Sequence, residues 1–304
     1  MGRICALCIS ENRGTVKKPV CSVRAVEDFG LEGDAHAGRW HRQVSLLGAE
    51  EVAAFRARGA DVQEGSFGEN IVVEGFDLPG LPVGSLLRSG DVLLEITQIG
   101  KECHQHCAIY QAVGDCIMPR CGVFARVLRG GDLHVGDEIS RLYRTAVITL
   151  SDSCSRGENE DRSGPAICEC LEADGRYKVA RTLLLPDEPE QLTAELCRLA
   201  DEENMDLILT TGGTGFSPRD RTPEATLEAA DRLAPGIAET IRAESLKITP
   251  RAMLSRGVSA LRGAALIINL PGSPKACQES LGVILDTLPH GLDLLRGQSG
   301  QCAR

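Results

Sequence analysis

The sequence predicts a two-domain protein, with a mostly β first half and an α/β second half built on a largely parallel sheet. The chain has 304 residues, a length that suits two average domains. Up to about residue 141 the apolar runs are short and end at glycines, as strands of small barrels and sandwiches do. From residue 144, strand-like and helix-like segments alternate, which is typical of a parallel sheet covered by helices. We therefore expect domains at residues 1–141 and 144–304.

The first half contains short segments rich in Val, Ile and Leu. These strand candidates are SVRAVEDFG, RQVSLLG, ENIVVEG, SLLRSGDVLLEITQIG and GVFARVLRGG. The pattern favours a barrel-like or sandwich arrangement. One helix is expected here, over residues 49–58.

The second half repeats a strand followed by a helix. Strands are predicted at residues 146–150, 179–185, 206–210 and 265–270. Helices are predicted at residues 164–173, 189–203, 223–232, 237–246 and 274–287. Long apolar runs in these strands indicate burial on both faces, and hence three layers. Right-handed crossovers place the loops after the strands at one edge, where open α/β sheets bind ligands.

Charge and composition exclude several classes of function. The formal net charge is −10 and the pI is about 5.2, which argues against a nucleic-acid or membrane-surface binder. The beginning, MGRICALCIS, lacks the apolar core of a signal peptide, and apolar stretches such as residues 264–270 are too short to span a bilayer. We therefore expect a cytoplasmic protein whose 13 cysteines are reduced, so that clustered cysteines indicate a reactive thiol or a metal site.

The loop after the third predicted strand suits an anion. Glycines within residues 212–215 allow backbone N–H groups to approach a phosphate closely. Thr222 is expected to be the N-cap of the next helix, with Pro223 at its first position, and a helix start adds partial positive charge. Ser273 and Pro274 repeat this arrangement before the last predicted helix.

Two loop carboxylates complete a candidate nucleotide site. Asp187 and Asp220 are hard oxygen ligands suited to Mg²⁺, directly or through water. Each loop alone has an ordinary alternative interpretation, because glycine and aspartate are common turn and cap residues. Their combination after successive strands favours a site for a nucleotide phosphate and a magnesium ion.

Motifs along the second half resemble the molybdopterin adenylyltransferase family, which includes the G domain of gephyrin. These motifs are TLSDS, DRSGP, LLPDE, DLILTTGGTGFSPRDRTPEAT, PGIAETIR, LSRG and LIINLPGSPKA, and they span nearly all of residues 144–297. The resemblance implies a three-layer α/β molybdopterin-binding domain, often a trimer. It also implies a reaction in which ATP and molybdopterin give adenylylated molybdopterin and pyrophosphate.

The same resemblance implies the site residues. Asp187 and Asp220 are expected to be the two essential acidic residues, serving catalysis and binding Mg²⁺. Arg221 departs from the family pattern, which commonly has an aliphatic residue there; it either adds a phosphate contact or is solvated. The loops that carry the motifs supply the expected substrate-binding residues, which are Ser151, Asp152, Asp161, Ser163, Gly212, Gly213, Thr214, Gly215, Arg219, Thr222, Glu224, Pro271, Gly272 and Ser273.

The first half resembles a MOSC domain, the module found at the C-terminus of molybdenum cofactor sulfurases. The motifs GLEGDAHAG, FGENI and GVFARVL carry this resemblance over roughly residues 1–140. It implies a barrel-like domain that carries sulfur or binds molybdenum cofactor through one cysteine, here Cys103. The neighbouring Lys101, His104 and His106 favour the thiolate form.

Two further interpretations of the first half remain open. A structural zinc ion is the alternative to a reactive thiol, and its candidate ligands are Cys103, His104, His106, Cys107, Cys116 and Cys121. Asp34, His36, Glu69 and Asn70 either line the same pocket or are turn and cap residues.

Taken together, the sequence predicts an enzyme of molybdenum cofactor biosynthesis, a molybdopterin adenylyltransferase. The alternative is a carrier that binds molybdopterin without turnover, with a zinc or redox-thiol site in its first half. Expected partners are molybdopterin, ATP and other cofactor-biosynthesis or molybdoenzyme proteins, with no nucleic acid and no membrane. A homo-oligomer is expected, with a trimer favoured by the resemblance.

Overall fold

The computed structural model describes residues 2–75, 77–101, 110 and 114–297. The chain forms two compact units, one up to Leu142 and the other from Tyr143 onward. Within the described residues, no helix has the length and the apolar character needed to cross a bilayer.

The first unit is built mainly from short antiparallel strands. They are β1 (Gly2–Ile9), β2 (Lys18–Val20), β3 (Ser22–Val26), β4 (Gly30–Leu31), β5 (Val44–Gly48), β6 (Ile71–Glu74), β7 (Leu86–Ser89), β8 (Val92–Ile99), β9 (Val123–Arg129), β10 (Gly131–His134) and the beginning of β11 (Glu138–Leu150). The described helices of this unit are α1 (Ala49–Ala57) and the short α2 (Met118–Cys121). The helix predicted at residues 49–58 is therefore present and ends one residue earlier.

Strand pairing in the first unit follows a path that returns to its starting strand. From β11 the pairs continue through β7, β8, β9, β5, β6 and β1 and then back to β11. The β5–β6 pair is parallel and the other pairs on this path are antiparallel. Alternate side chains of β8, namely Val92, Leu94 and Ile96, are buried in an aliphatic core, as the two-residue period of a strand requires.

The second unit contains an open sheet in the order β14-β15-β16-β13-β11-β12. Beyond the last part of β11, its strands are β12 (Tyr177–Leu185), β13 (Leu207–Thr211), β14 (Arg232–Leu233), β15 (Ser259–Arg262) and β16 (Ala265–Leu270). The four strands from β16 to β12 are parallel, while β14 and β15 add an antiparallel edge. This confirms the largely parallel sheet predicted for the second half.

Helices cover both faces of this sheet. They are α3 (Asp152–Ser155), α4 (Ser163–Asp174), α5 (Pro189–Asp201), α6 (Thr222–Ala229), α7 (Pro235–Leu246), α8 (Pro274–Ile284) and α9 (Leu288–Leu295), with a 3₁₀ helix at Pro250–Leu254. Val147 of β11 packs in one core with α4, α7, α8 and α9. Its neighbour Ile148 packs in the opposite core with α5 and α6. Successive side chains of a strand point to opposite faces, so two buried cores produce the three layers.

Most predicted elements of the second unit are within a few residues of the observed ones, but two helix ends and one strand differ in kind. The helix predicted at residues 223–232 ends at Ala229, and residues 232–233 form an exposed edge strand. The helix predicted at residues 274–287 ends at Ile284, and a separate helix follows at Leu288–Leu295. The strand β15 was not predicted at all.

Candidate active site

Four loops meet at one edge of the second sheet because its parallel strands end in register. Thr149 of β11 pairs with Thr211 of β13, and Thr211 pairs with Leu270 of β16. On the other side, Leu150 pairs with Leu185 of β12. The loops that follow these strands therefore begin side by side, at the edge where open α/β sheets bind ligands.

The glycine loop, residues 212–216, follows β13 in a conformation that needs glycine. Gly212 has φ +99° and Gly213 has φ +61°, a region that L side chains rarely adopt. A Cβ on Gly212 would overlap the carbonyl oxygen of Leu150, and a Cβ on Gly213 would overlap Thr222 Oγ1. The loop therefore packs its backbone directly against its neighbours.

The carbonyl groups of residues 212–215 in this loop all accept hydrogen bonds from Thr222 or Arg256. Thr222 Oγ1 donates to the carbonyl of Gly212 at 2.9 Å, and Thr222 N donates to that of Gly213 at 3.1 Å. Arg256 N donates to the carbonyl of Thr214 at 2.9 Å, and Arg256 Nε donates to that of Gly215 at 2.7 Å.

The N–H groups of the same loop face the other way. In a trans peptide, each N–H points opposite to the preceding carbonyl. Across the described ranges, the N–H groups of residues 213–216 donate no hydrogen bond. Successive free backbone donors of this kind form a concave site for an anion such as a phosphate.

Thr222 corrects one sequence expectation. It was predicted to be the N-cap of α6, but the helix begins at Thr222 itself and its N-cap is Arg221, which makes no side-chain capping bond. The buried Thr222 hydroxyl instead donates to the Gly212 carbonyl. The hydroxyl binds the Gly212 carbonyl in place of a backbone N–H at the start of α6, so Thr222 anchors the glycine loop.

The two carboxylates predicted to be essential both lie close to the glycine loop. A Cβ on Gly213 would lie 3.3 Å from Asp187 Oδ1, and a Cβ on Gly215 would lie 2.8 Å from Asp220 Oδ2. Both aspartates are half-buried. The structure therefore brings Asp187, Asp220 and the free N–H groups together.

Asp187 is held by a reciprocal pair of hydrogen bonds with Asp152. Asp152 N donates to Asp187 Oδ2 at 3.0 Å, and Asp187 N donates to Asp152 Oδ1 at 3.1 Å. Burial raises the pKa of Asp187; the Asp152 N–H opposes this effect, while the negative charges of Asp152 and Asp220 add to it. An incoming cation would relieve this crowding of like charges.

The donor set fits a magnesium ion that is shared with a substrate. Asp187 Oδ1 and Asp220 Oδ1 accept no hydrogen bond from the described residues, whereas each Oδ2 accepts one from a backbone N–H. Within those residues, no three His, Cys, Asp or Glu side chains form a metal-binding group. Mg²⁺ commonly uses one or two carboxylates together with substrate phosphates and water, so two carboxylates suit that mode of binding.

Arg219 is the cation of this site. Its guanidinium donates to both oxygens of Asp152, at 3.0 and 2.9 Å, and to Glu188 Oε1 at 2.8 Å. These hydrogen bonds lower the pKa of Asp152. The Arg219 side chain is 51% exposed, so a phosphate can reach it from solvent. Arg221, which departs from the family pattern, is also exposed and lies 3.9 Å from Glu224.

The loops after β11 and β16 contact each other through Ser163. Asp161 Oδ1 accepts from Ser163 N at 3.0 Å and Gly164 N at 3.1 Å, and so caps α4. Ser163 Oγ donates to the carbonyl of Gly272 at 2.9 Å. Ser151 similarly caps α3 by accepting from Cys154 N.

The turn after β16 rests on two buried side chains that sequence reasoning missed. Thr211 Oγ1 and Cys277 Sγ both donate to the carbonyl of Pro271, at 2.6 and 2.9 Å. Ser273 caps α8 as predicted, by accepting from Ala276 N at 3.3 Å. Because this helix start is a true N-cap, the predicted anion-friendly dipole is present at the fourth loop.

Most of the cysteine centre predicted for the first half lies outside the part of the chain that the structure describes. Cys103, His104, His106 and Cys107 lie outside the described residues. Of the other candidate zinc ligands, Cys116 is buried and Cys121 is half-buried, and both pack in an apolar cluster with Phe55.

The other polar candidates of the first half form buried contacts within the fold. Asp34 accepts from Lys17 Nζ at 2.8 Å, from Ser10 N at 3.1 Å and from Asn70 Nδ2 at 3.1 Å. Both partners of the Lys17–Asp34 ion pair are buried. Glu69 accepts from the N–H groups of residues 65 and 67. The surroundings of Cys103 lie outside the described residues, so both interpretations of these residues stay predictions.

An open α/β sheet whose strand ends carry free loop amides beside two carboxylates is typical of domains that bind phosphorylated ligands. Comparison with known proteins agrees. Residues 146–290 match the family described as "Probable molybdopterin binding domain", and residues 33–140 match the MOSC domain.

Relatives named as molybdopterin adenylyltransferases match the second half of this chain. Over 157 residues, the chain is 40% identical to molybdopterin adenylyltransferase of Helicobacter pylori J99, covering 50% of this chain and 86% of that protein. It is 40% identical over 167 residues to molybdopterin adenylyltransferase of Escherichia coli K12, covering 51% and 86%. The crystal structure of the molybdopterin biosynthesis enzyme MoaB from Thermus thermophilus is 52% identical, covers 51% of this chain and 98% of its own, and has a TM-score of 0.49.

The chain therefore belongs, through its second half, to the molybdopterin adenylyltransferase family. This confirms the family resemblances predicted for both halves, and it confirms the predicted enzyme class, a nucleotidyltransferase.

Proposed function

We propose that the second unit transfers the adenylyl group of ATP to molybdopterin with the help of Mg²⁺. The observation that carries this proposal is the convergence of Asp187 and Asp220 on a loop whose N–H groups at residues 213–216 are free. The relatives' name, molybdopterin adenylyltransferase, supports molybdopterin as the acceptor and an adenylyl donor such as ATP. Phosphoryl-type transfer depends mainly on alignment and charge neutralisation, and a site of loops and carboxylates supplies both.

The proposed reaction forms one phosphorus–oxygen bond and breaks another. An oxygen of the terminal phosphate of molybdopterin attacks the α-phosphorus of ATP, and the bond to the β-phosphate breaks as pyrophosphate leaves. The amides of the glycine loop hold phosphate oxygens and neutralise part of their charge. Asp187 and Asp220 would hold the magnesium ion, which would supply Lewis-acid neutralisation of the phosphate charge when bound.

Arg219 is proposed to exchange partners when substrate arrives. In the structure it is neutralised by Asp152 and Glu188. A phosphate group carries more charge than one carboxylate and offers bidentate acceptors to the guanidinium. Moving Arg219 to a phosphate would leave the Asp152 carboxylate with its remaining bond from Asp187 N and without a neutralising cation.

The direct test measures pyrophosphate release by the full chain with molybdopterin, ATP and Mg²⁺. Asp220→Asn and Asp187→Asn should each lower kcat by about 10²-fold or more, because each removes a negative charge that would help to align the phosphates. Asp201→Asn is the matched control, since Asp201 is a surface carboxylate paired with Arg262.

The outcomes separate the two functions considered for the second unit. Pyrophosphate release lost in both site variants and kept in Asp201→Asn supports the proposal. Wild-type protein that binds molybdopterin but releases no pyrophosphate would instead make this unit a carrier.

For the first unit we infer that the ring of strand pairs is the barrel expected of a MOSC domain, and that Cys103 carries sulfur or binds molybdenum cofactor. The match to the MOSC domain supports this. Metal analysis of the purified full chain tests it against the alternative, because about one zinc per chain, lost on Cys103→Ser, would favour a zinc site. The trimer and the cytoplasmic location remain predictions. Mass photometry of the full chain would measure its oligomeric state.

A further inference from the structure

Arg256 is absent from the predicted site, yet it makes more hydrogen bonds to the glycine loop and its flanks than any predicted residue. Its backbone N–H donates to Thr214 O at 2.9 Å, and Nε donates to Gly215 O at 2.7 Å. Nη2 donates to the carbonyl of Asp220, and Nη1 pairs with the carboxylate of Glu224. The guanidinium of Arg256 thus donates hydrogen bonds to both ends of the segment from residue 215 to residue 220.

These contacts determine the direction in which backbone N–H groups of the loop point. Because the carbonyls of Thr214 and Gly215 point at Arg256, the following N–H groups, those of Gly215 and Phe216, point away from it. Thr222 turns the two preceding peptides in the same way. The Thr214 carbonyl is held by the Arg256 backbone N–H, which any residue except proline supplies. Loss of the side chain would therefore leave the Gly215 carbonyl, and with it the Phe216 N–H, without a fixed direction.

The same contacts fix the Asp220 backbone. Asp220 Oδ2 accepts from Ser217 N at 2.9 Å, and Asp220 N donates to Ser217 O at 2.9 Å. This closes a tight turn on the far side of the segment. The turn fixes the direction of the Asp220 carboxylate. The guanidinium of Arg256 fixes the turn, because it donates to the carbonyl of Asp220.

Only a guanidinium can satisfy this set of acceptors. Two backbone carbonyls and one carboxylate surround a planar fork of N–H donors, and lysine offers a single ammonium point with no fork. Glu224 neutralises the charge of Arg256, with side-chain exposures of 39% and 33%. The pair therefore shapes the loop without presenting a free cation to the substrate.

We propose that Arg256 is a positioning residue for adenylyl transfer, whose side chain turns the Phe216 amide and Asp220 toward the phosphates. This rests on the function proposed above. The competing explanation is that Arg256 only ties the 250–256 segment to the fold and could be lost without an effect on catalysis beyond instability.

The test uses the full chain and three variants, Arg256→Ala, Arg256→Lys and the control Arg262→Ala. Arg262 also joins one carboxylate, Asp201, to one backbone carbonyl, that of Ala229, in the same unit. It should therefore report the cost of losing such an arginine away from the loop. Each variant is measured for kcat and KM, for recovery of activity with about 20 mM guanidinium, and for hydrogen exchange without substrate.

Arg256→Ala should lower kcat by about 10²-fold, the cost of misplacing a reacting group by about 1 Å, while KM changes much less. Guanidinium should restore at least part of that kcat, and Arg256→Lys should remain well below wild type. The protected amides of Ser217, Asp220 and Thr222 should exchange faster in Arg256→Ala. In Arg262→Ala, kcat and these amides should stay close to wild type.

Two results would overturn the proposal. In the first, Arg256→Ala keeps a kcat close to that of Arg262→Ala. In the second, the kcat of Arg256→Ala falls, but guanidinium restores none of it and hydrogen exchange at residues 217–222 does not change. If Arg256→Ala does not fold, the kcat and exchange of Arg256→Lys decide in the same way. The exchange measurement needs no catalysis. A wild-type chain without activity would therefore refute the proposed function, and the exchange result would still judge the anchoring role.

Discussion

Replacing Gly213 by alanine probes the conformation of the glycine loop directly. The residue has φ +61°, so the new side chain sits in the left-handed region at a cost of about 1–2 kcal/mol. Its Cβ would overlap Thr222 Oγ1 and lie 3.3 Å from Asp187 Oδ1. Thr222 must then rotate and lose its bond to the Gly212 carbonyl, which contributes about 1 kcal/mol.

The net effect is smaller than these two costs together. Alanine restricts the unfolded chain more than glycine does, which offsets about 0.4–1 kcal/mol. We therefore expect Gly213→Ala to lower the free energy of unfolding of the second unit by about 2 kcal/mol. Activity should fall more than stability predicts, because the new methyl group pushes against Asp187 as well.

The assay is the urea dependence of hydrogen exchange at β13, which reports on the second unit alone. Gly236→Ala is the control, since a Cβ at Gly236 would meet nothing within 4 Å and the residue lies in α7. That change should be neutral or stabilising by up to about 1 kcal/mol. If Gly213→Ala were as stable and as active as Gly236→Ala, the tight packing of the loop against Thr222 and Asp187 would be wrong.

Three further predictions concern the rest of the chain. Asp34→Asn should destabilise the first unit by about 3–5 kcal/mol, because Lys17 would stay buried without its counter-charge; urea unfolding followed by the fluorescence of the single tryptophan measures this. Burial acts to raise the pKa of Asp34, but the hydrogen bond and charge of Lys17 outweigh burial, and the pKa lies below its usual range. The stabilisation that the ionised Asp34 gives the first unit should therefore be present above about pH 4 and be lost as the pH falls further. Burial raises the pKa of Cys277 to about 11, so iodoacetamide at pH 8 should label the exposed Cys21 and leave Cys277 unmodified until the protein unfolds, as peptide mass spectrometry would detect. Ser273→Ala should cost about 1 kcal/mol by removing the cap of α8, seen as a lower thermal midpoint of the second unit.

Much of the second unit could be predicted because its strands are covered on both faces. Doubly buried parallel strands appear as uninterrupted apolar runs, and β16 matches its predicted bounds. The edge strands β14 and β15 escaped prediction because they are short, and residues 232 and 233 are exposed. The last predicted helix was too long because its apolar periodicity continues across the break before Leu288.

The site was predictable where chemistry is local and not where it depends on distant segments. Glycines and aspartates after strands indicated Asp187 and Asp220 without knowledge of the fold. Arg256 stands in the family motif LSRG, but its nearest partner, Glu224, is 32 residues away, and the motif does not indicate which groups the arginine binds. Thr222 shows the opposite failure, since the local capping rule was sound but a tertiary carbonyl competes for its hydroxyl.

The most direct test of this account is a crystal structure of the full chain with Mg²⁺ and the α,β-methylene analogue of ATP. The account predicts phosphate oxygens within hydrogen-bond distance of the N–H groups of residues 213–216. It also predicts a metal ion bound, directly or through one water, by both Asp187 and Asp220. Phosphates bound elsewhere, with the two carboxylates contacting neither metal nor nucleotide, would contradict it.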